Sequence, residues 1–507
     1  MVMLPHCSRA ALAICAVMLV ASPVNAAPAT SAPPAMSPMP MRTRAGSPAR
    51  RVAIDTVVEA NVAPAVTVSS TIYLERCKGG CAVHQGANDA RTNTSMIPMR
   101  SSSTVHEFAN AAGMTGSAAD DDWGQLVTCM KEVYSPYNVV VTDVKPTGGQ
   151  GYHEAIVAGL PTDIGLGSDI LGVAPLASDC RAIDNVISFS FASNHPPVGY
   201  VLNICWTAAQ ESAHAFGLDH EFSFSNKRSA CNDPMTYRND CGGEKFFRNE
   251  AATCGENTER ACKCGTSQNS HTKLLSVFGP GTPITARPTI ELTTPTASGG
   301  ALGRVVTADA GAQRGVARVE LYFNGFKWSE VSGAKFQLDG QPDPSTYSLQ
   351  VPAALPDSIV DVKTVAFDDL EISTESTMFT VTKGAPCATA ATCATGQKCE
   401  DGKCFWDPPS AEIGESCTYP QLCKSLQCEG GKGEQICIQS CVPEATNACP
   451  KGFECVTSGT ATSGVCTLPD SGGCCSVERG GPGWLVHGGI AAIVLGVLAR
   501  RRRTARR

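Results

Sequence analysis

The placement of cysteine constrains this 507-residue chain more than any other feature. Cysteines stand at 77, 81, 129, 180, 205, 231, 241, 254, 262 and 264; none lies between 284 and 384; twelve crowd residues 387–466. That last block has few aliphatic side chains, so cross-links must replace a core it cannot build. Zinc ribbons need C-x₂-C pairs and the block holds none, so its cysteines read as disulfides. The cysteine-free stretch before it must instead rest on apolar packing. The total of 26 excludes an ordinary cytosolic protein and indicates an oxidising compartment.

The ends fit that compartment. Arg9, the apolar run Ala10 to Ala21 and the small-residue site Val24-Asn25-Ala26 read as a signal peptide over 1–26. Six arginines occupy the last eight positions, and seventeen largely apolar residues, Gly483 to Ala499, precede them. At 1.5 Å per residue such a run spans about 26 Å, the short end of a transmembrane helix, with the arginines kept inside. Of 40 basic residues, removing those six and Arg9 leaves 33 against 47 acidic ones. An ectodomain this acidic argues against nucleic acid as a partner.

Between the ends the texture changes in blocks. Residues 27–70 are rich in Ala, Pro, Ser and Met and read as a disordered linker, with Arg51 to Val68 apolar enough for a short pro-segment. Residues 71–280 read as one α+β domain. Its expected order is a strand at Thr71–Leu74, a helix at Asp121–Tyr137, and strands at Asn138–Val144, His153–Gly159, Ile170–Pro175 and Asn185–Ala192. A long helix, Tyr200–Gly217, follows, and Ser270–Phe278 closes the domain. Trp123, Leu126, Val127, Met130 and Val133 give the first helix its apolar stripe. Residues 284–384 alternate apolar and polar side chains around an Asn324-Gly325 hairpin signal and read as an immunoglobulin-like β-sandwich. Residues 387–466 form the disulfide module, and 471–507 the C-terminal segment.

The chemistry concentrates in Gln210-Glu211-Ser212-Ala213-His214-Ala215-Phe216-Gly217-Leu218-Asp219-His220. On a helix, Gln210 and His214 share one face, and Glu211 reaches the same cavity. Gly217 lets the chain leave the helix in a conformation other residues resist, which returns His220 toward the first two side chains. Three convergent ligands and an adjacent carboxylate are the ingredients of a catalytic zinc site. Fifteen residues after His220 comes Met235, in the turn Asp233-Pro234-Met235-Thr236-Tyr237.

This arrangement resembles the metzincin zinc metalloproteases of astacin and matrixin type, whose pattern is H-E-x-x-H-x-x-G-x-x-H followed by a Met-turn. Glu211, His214, Gly217, His220 and Met235 match; Tyr237 and Glu221 stand as in the astacin branch. Gln210 departs from the pattern, because the family has histidine there and a carboxamide oxygen binds zinc more weakly than imidazole nitrogen. Tyr237 as an extra ligand, or His153 or His195 as a nitrogen donor, are the compensations open at this stage. The resemblance implies a mixed five-stranded sheet, Zn²⁺ held by Gln210, His214 and His220, and Glu211 as general base. It also implies Tyr237 as a second catalytic group, Gly217 and Met235 as structural supports, and protein or peptide substrates laid along an edge strand at 153–159 or 170–175. The alternative is an inactive metzincin scaffold used for surface binding or adhesion. The order Cys474-Cys475, apolar run, arginine cluster resembles myxobacterial C-terminal sorting signals, which implies attachment to the outer cell surface or release after processing. Pairing of the ten cysteines is open: Cys77 with Cys81 would make a local loop, and Cys205 with Cys180 would pin the motif helix.

Overall fold

The computed structural model describes residues 50–56, 68–224, 229–238, 243–333, 345–430, 435–441, 449–456 and 464–467. The expected signal peptide and C-terminal sorting or transmembrane segment lie outside these residues. Among the described residues, no helix is long and apolar enough to cross a membrane.

The first domain is built on strands β1 (Arg50–Thr56), β2 (Thr71–Glu75), β3 (Val140–Thr142), β4 (His153–Val157), β5 (Ile170–Ala177) and β6 (Ile187–Ser190). They form one sheet in the order β1-β5-β6-β4-β2-β3. All neighbouring pairs are parallel except β5 with β6, which run antiparallel. Every residue of β4 and β6 is buried, as expected for strands covered on both faces. Two helices, α1 (Asp120–Tyr134) and α2 (Tyr200–Ala215), lie against the sheet and each other. The apolar stripe foreseen on α1 is its buried face, and three aspartates in its first turn suit the positive end of the helix dipole.

The sheet departs from expectation in two ways. It has six strands rather than five, because residues 50–56 of the expected linker pair along β5 from Arg50 opposite Ile170 to Thr56 opposite Ala177. Neither expected edge strand is an edge: β4 sits between β6 and β2, and β5 sits between β1 and β6. The backbone hydrogen-bonding groups on both sides of β4 are already used.

Beyond α2 come a two-strand ribbon, β7 (Glu221–Phe224) with β8 (Ala252–Cys254), and helix α3 (Ser270–Phe278). Cys205 faces α1 and pairs with Cys129 rather than with Cys180, which pairs with Cys264. The reason is facing: Cys205 is fully buried on α2 where α1 crosses it. Cys77–Cys81 closes the local loop, and Cys254–Cys262 closes another.

A β-sandwich follows. One sheet holds β9 (Thr289–Thr294), β10 (Val305–Gly311) and β13 (Ser345–Gln350); the other holds β11 (Arg318–Phe323), β12 (Phe326–Ser332), β14 (Ser358–Phe367), β15 (Ser373–Glu375) and β16 (Phe379–Lys383), and is extended by β17 (Lys398–Glu400) and β18 (Lys403–Phe405) of the cysteine-rich block. Leu292, Val306, Val319, Leu321, Leu349, Val360 and Val381 share its core. Asn324 and Gly325, both at positive φ, make the β11–β12 hairpin. In the cysteine-rich block, the pairs 387–399 and 393–404, 417–428 and 423–437, and 441–455 and 449–466 form three successive interleaved sets. The block is thus a threefold repeat, which cysteine spacing alone did not disclose.

The sandwich is joined to the first domain by buried charge. Arg314 and Arg248 both meet Asp369, at 2.7 and 3.0 Å, and Arg248 also donates to the Arg314 carbonyl at 2.6 Å. The Arg314 guanidinium lies 4.6 Å from the centre of the Phe246 ring.

Candidate functional site

Helix α2 is buried along its whole second half, from Ile204 to Ala215. Ala208, Ala209, Ala213 and Ala215 let it lie close to the sheet, and the polar residues Gln210, Glu211 and His214 share this dry environment. A polar group buried in this way needs a partner, so each one is informative. The helix stops because Gly217 adopts φ +91, and an added Cβ would lie 2.0 Å from the Cys180 carbonyl oxygen. Only glycine fits, on both grounds.

That exit places the Leu218 carbonyl 2.7 Å from His214 Nδ1 and brings the His220 ring to 4.5 Å from the His214 ring, nearly perpendicular. His220 Nδ1 lies 2.9 Å from Glu256 Oε1. In both rings an acceptor faces Nδ1, which selects the tautomer with its proton there and leaves a lone pair on Nε2. His220 Nε2 is buried and without a hydrogen-bond partner among the described residues. His214 Nε2 has the Gln210 carboxamide 3.5 Å away. Burial, then the neighbouring His220, lowers the His214 pKa to about 3, so this imidazole is neutral at pH 7. Glu256 is held well below the usual carboxylate range, first by its hydrogen bond with His220 and then by Arg260.

Residues Gln210, His214 and His220 therefore come together, as the spacing indicated. Their donor set is one carboxamide and two imidazoles, and the orphaned His220 Nε2 is the atom a metal would satisfy. The residues fit a zinc ion on that ground.

Glu211 lies on the sheet side of the helix. A Cβ at Gly172 would stand 2.6 Å from Glu211 Oε1, so β5 passes directly beside this carboxylate. Gly172 was not singled out from the sequence, although a glycine inside the apolar run Ile170–Pro175 is a recognised sign of close approach. Glu256 was also missed, because it lies 36 residues beyond His220 and outside any motif.

The Met-turn packs beneath. Met235 is fully buried, and its carbonyl accepts the Glu221 N–H at 2.9 Å. Asp233 organises the turn by accepting from the N–H groups of Met235 and Arg248, each at 2.8 Å, and from Ser270 Oγ at 2.6 Å. Burial and the nearby Asp233 push the Glu221 carboxyl well up, favouring its protonated form. Tyr237 lies with its ring 4.5 Å from the His220 ring. His153 sits against Phe216, and its Nε2 meets Ser188 Oγ at 2.9 Å. His195 is buried just after the Ala192–Asn194 turn that precedes α2.

No family model and no curated protein matches this chain. Among solved structures, fibronectin(III)-like modules of Clostridium thermocellum CbhA align with 19% of this chain and 96% of their own, at 16% identity and a TM-score of 0.14. Catalytically inactive OgpA from Akkermansia muciniphila, in complex with an O-glycopeptide substrate, aligns over 54% and 90%, at 9% identity and a TM-score of 0.17. Wild-type OgpA aligns over 54% and 91%, at 9% and 0.14. Scores this low carry no argument about this chain.

Proposed function

We propose that this protein is a secreted, zinc-dependent endopeptidase of metzincin type, held at the cell surface or released from it by its C-terminal segment. The observation that carries the reading is the pair of imidazoles, each anchored through Nδ1, with Glu211, one position after Gln210, pressed against Gly172 of β5. Zinc bound by Gln210, His214 and His220 would polarise a peptide carbonyl and acidify the attacking water. Glu211 takes the proton from that water and delivers it to the departing amine. Tyr237, whose ring lies against His220, would donate a hydrogen bond to the tetrahedral oxyanion.

Substrate would run along β5 beside Glu211, a strand flanked by β1 and β6 that becomes an edge only when β1 leaves. Its outer side is paired with β1, so a peptide would take the place of residues 50–56. This gives the pro-segment a role: it covers the binding edge until removed. The disulfides agree with an extracellular setting, and cell-surface attachment rests on the sorting-signal resemblance.

The second reading is an inactive scaffold for binding or adhesion, favoured by Gln210 at the first ligand position. Metal content and casein cleavage by the purified protein separate the two. Near-stoichiometric zinc, with chelator-sensitive cleavage that Glu211→Gln abolishes, supports the enzyme; absence of both zinc and cleavage refutes it.

A further inference from the structure

The proposed ligands are not equivalent. Gln210 offers a neutral carboxamide oxygen, and His214 gives its Nδ1 proton to a neutral backbone carbonyl. His220 alone faces a carboxylate, Glu256. That carboxylate is held from several sides. Arg260 Nη2 donates to Glu256 Oε1 at 2.6 Å, and Arg260 is itself clasped by Asp219 at 2.6 and 2.9 Å.

The turn carrying Glu256 is fixed as well. The Cys254–Cys262 disulfide closes it, and Gly255 adopts φ +144, where a Cβ would lie 2.0 Å from the Thr258 carbonyl oxygen. The Gly255 N–H donates to the His220 carbonyl at 3.0 Å. His220 is thus tied to this one turn through both its backbone and its ring.

Asp219, His220 and Glu256 have potential ligand atoms within 4.8 Å of one another and could be read as a separate ion site. The Arg260 guanidinium already supplies the positive charge that both carboxylates require, and His220 Nδ1 needs its proton to meet Glu256. The cluster serves His220 instead.

We infer that Glu256 is a positioning residue that fixes His220 with Nε2 toward the metal and strengthens it as a donor, offsetting the weak Gln210 ligand. The inference rests on the zinc reading above. A carboxylate accepting the Nδ1 proton shifts electron density into the ring, which raises the donor strength of Nε2; loss of such a partner typically costs about 10–100-fold in metal affinity.

Cobalt(II) is the probe, titrated into the full-length metal-free protein against a chromophoric chelator, with the visible spectrum of bound cobalt recorded. Glu256→Gln keeps the shape and an acceptor oxygen but removes the charge; Glu256→Ala removes both. Affinity should fall about tenfold in the first and toward a hundredfold in the second. The cobalt spectrum should change in both, with the melting midpoint of the metal-free Gln variant unmoved. Affinities within twofold of the parent and unchanged spectra overturn the inference while the zinc reading stands. Binding by Gln210→His but not by the parent also overturns it, because Glu256 then offsets nothing. No binding by either removes the zinc reading itself.

Discussion

Asp369→Asn should be among the most damaging substitutions outside the site. Its carboxylate forms ion pairs with both Arg314 and Arg248. The Arg314 and Arg248 side chains are 1% and 3% exposed, so neither charge can turn to water. Burial would by itself raise the Asp369 pKa, but the two guanidinium groups outweigh it and hold the acid at about 2. Against an ordinary value of 3.8, that difference corresponds to roughly 2 kcal/mol. Burial lowers Arg248 at the same time, so the acid side carries the favourable part of the coupling.

Because the folded value lies below the unfolded one, this stabilisation is present above about pH 4 and is lost as pH falls toward 2. Replacing the carboxylate removes the charge that both arginines share, and removing one member of a buried pair costs about 3–5 kcal/mol. Urea unfolding of the oxidised protein at pH 7, followed by tryptophan fluorescence and amide hydrogen exchange, measures the loss. The exchange should report it at Arg248 and in the Met-turn, since the Arg248 N–H donates to Asp233. A loss below about 1 kcal/mol, in the range of an exposed pair, would refute the account.

Other expectations follow from the site. Glu211→Gln should keep the metal but lower cleavage by about 10²–10⁴-fold, read as turnover at matched zinc content. Gly172→Ala places a methyl group against the Glu211 carboxylate and should cut turnover by about a hundredfold through misplacement, again with zinc retained. Gln210→His should raise zinc affinity in a chelator competition and raise cleavage with it. Removing residues 27–68 should lower KM for peptide substrates with little change in kcat, because β1 no longer holds the edge of β5; an unchanged KM would refute that role.

Much of the site is legible in the chain because it is local. Gln210 and His214 share a face through helical periodicity alone, and Gly217 announces the exit because no other residue tolerates that backbone. The same holds for the Asn324-Gly325 hairpin and for α1. Within eleven residues, then, the sequence by itself determined which side chains converge, and its cysteines marked the disulfide-rich character and the division into blocks.

Tertiary structure decided what depends on facing rather than spacing. Cys205 meets Cys129 because two helices cross there, and the twelve later cysteines pair in three interleaved sets, the first of them joined to the sandwich sheet through Lys403 opposite Ile359. Residues 50–56 join β5 through backbone hydrogen bonds, which leave no side-chain pattern to read. Gly172 reveals itself only when Glu211 is seen against it. Glu256, held by Arg260, reaches His220 through a turn fixed by a disulfide, and Arg314 and Asp369 arrive from another domain. A local motif states which ligands are present; their charge, tautomer and access are set by groups brought close only in the folded chain.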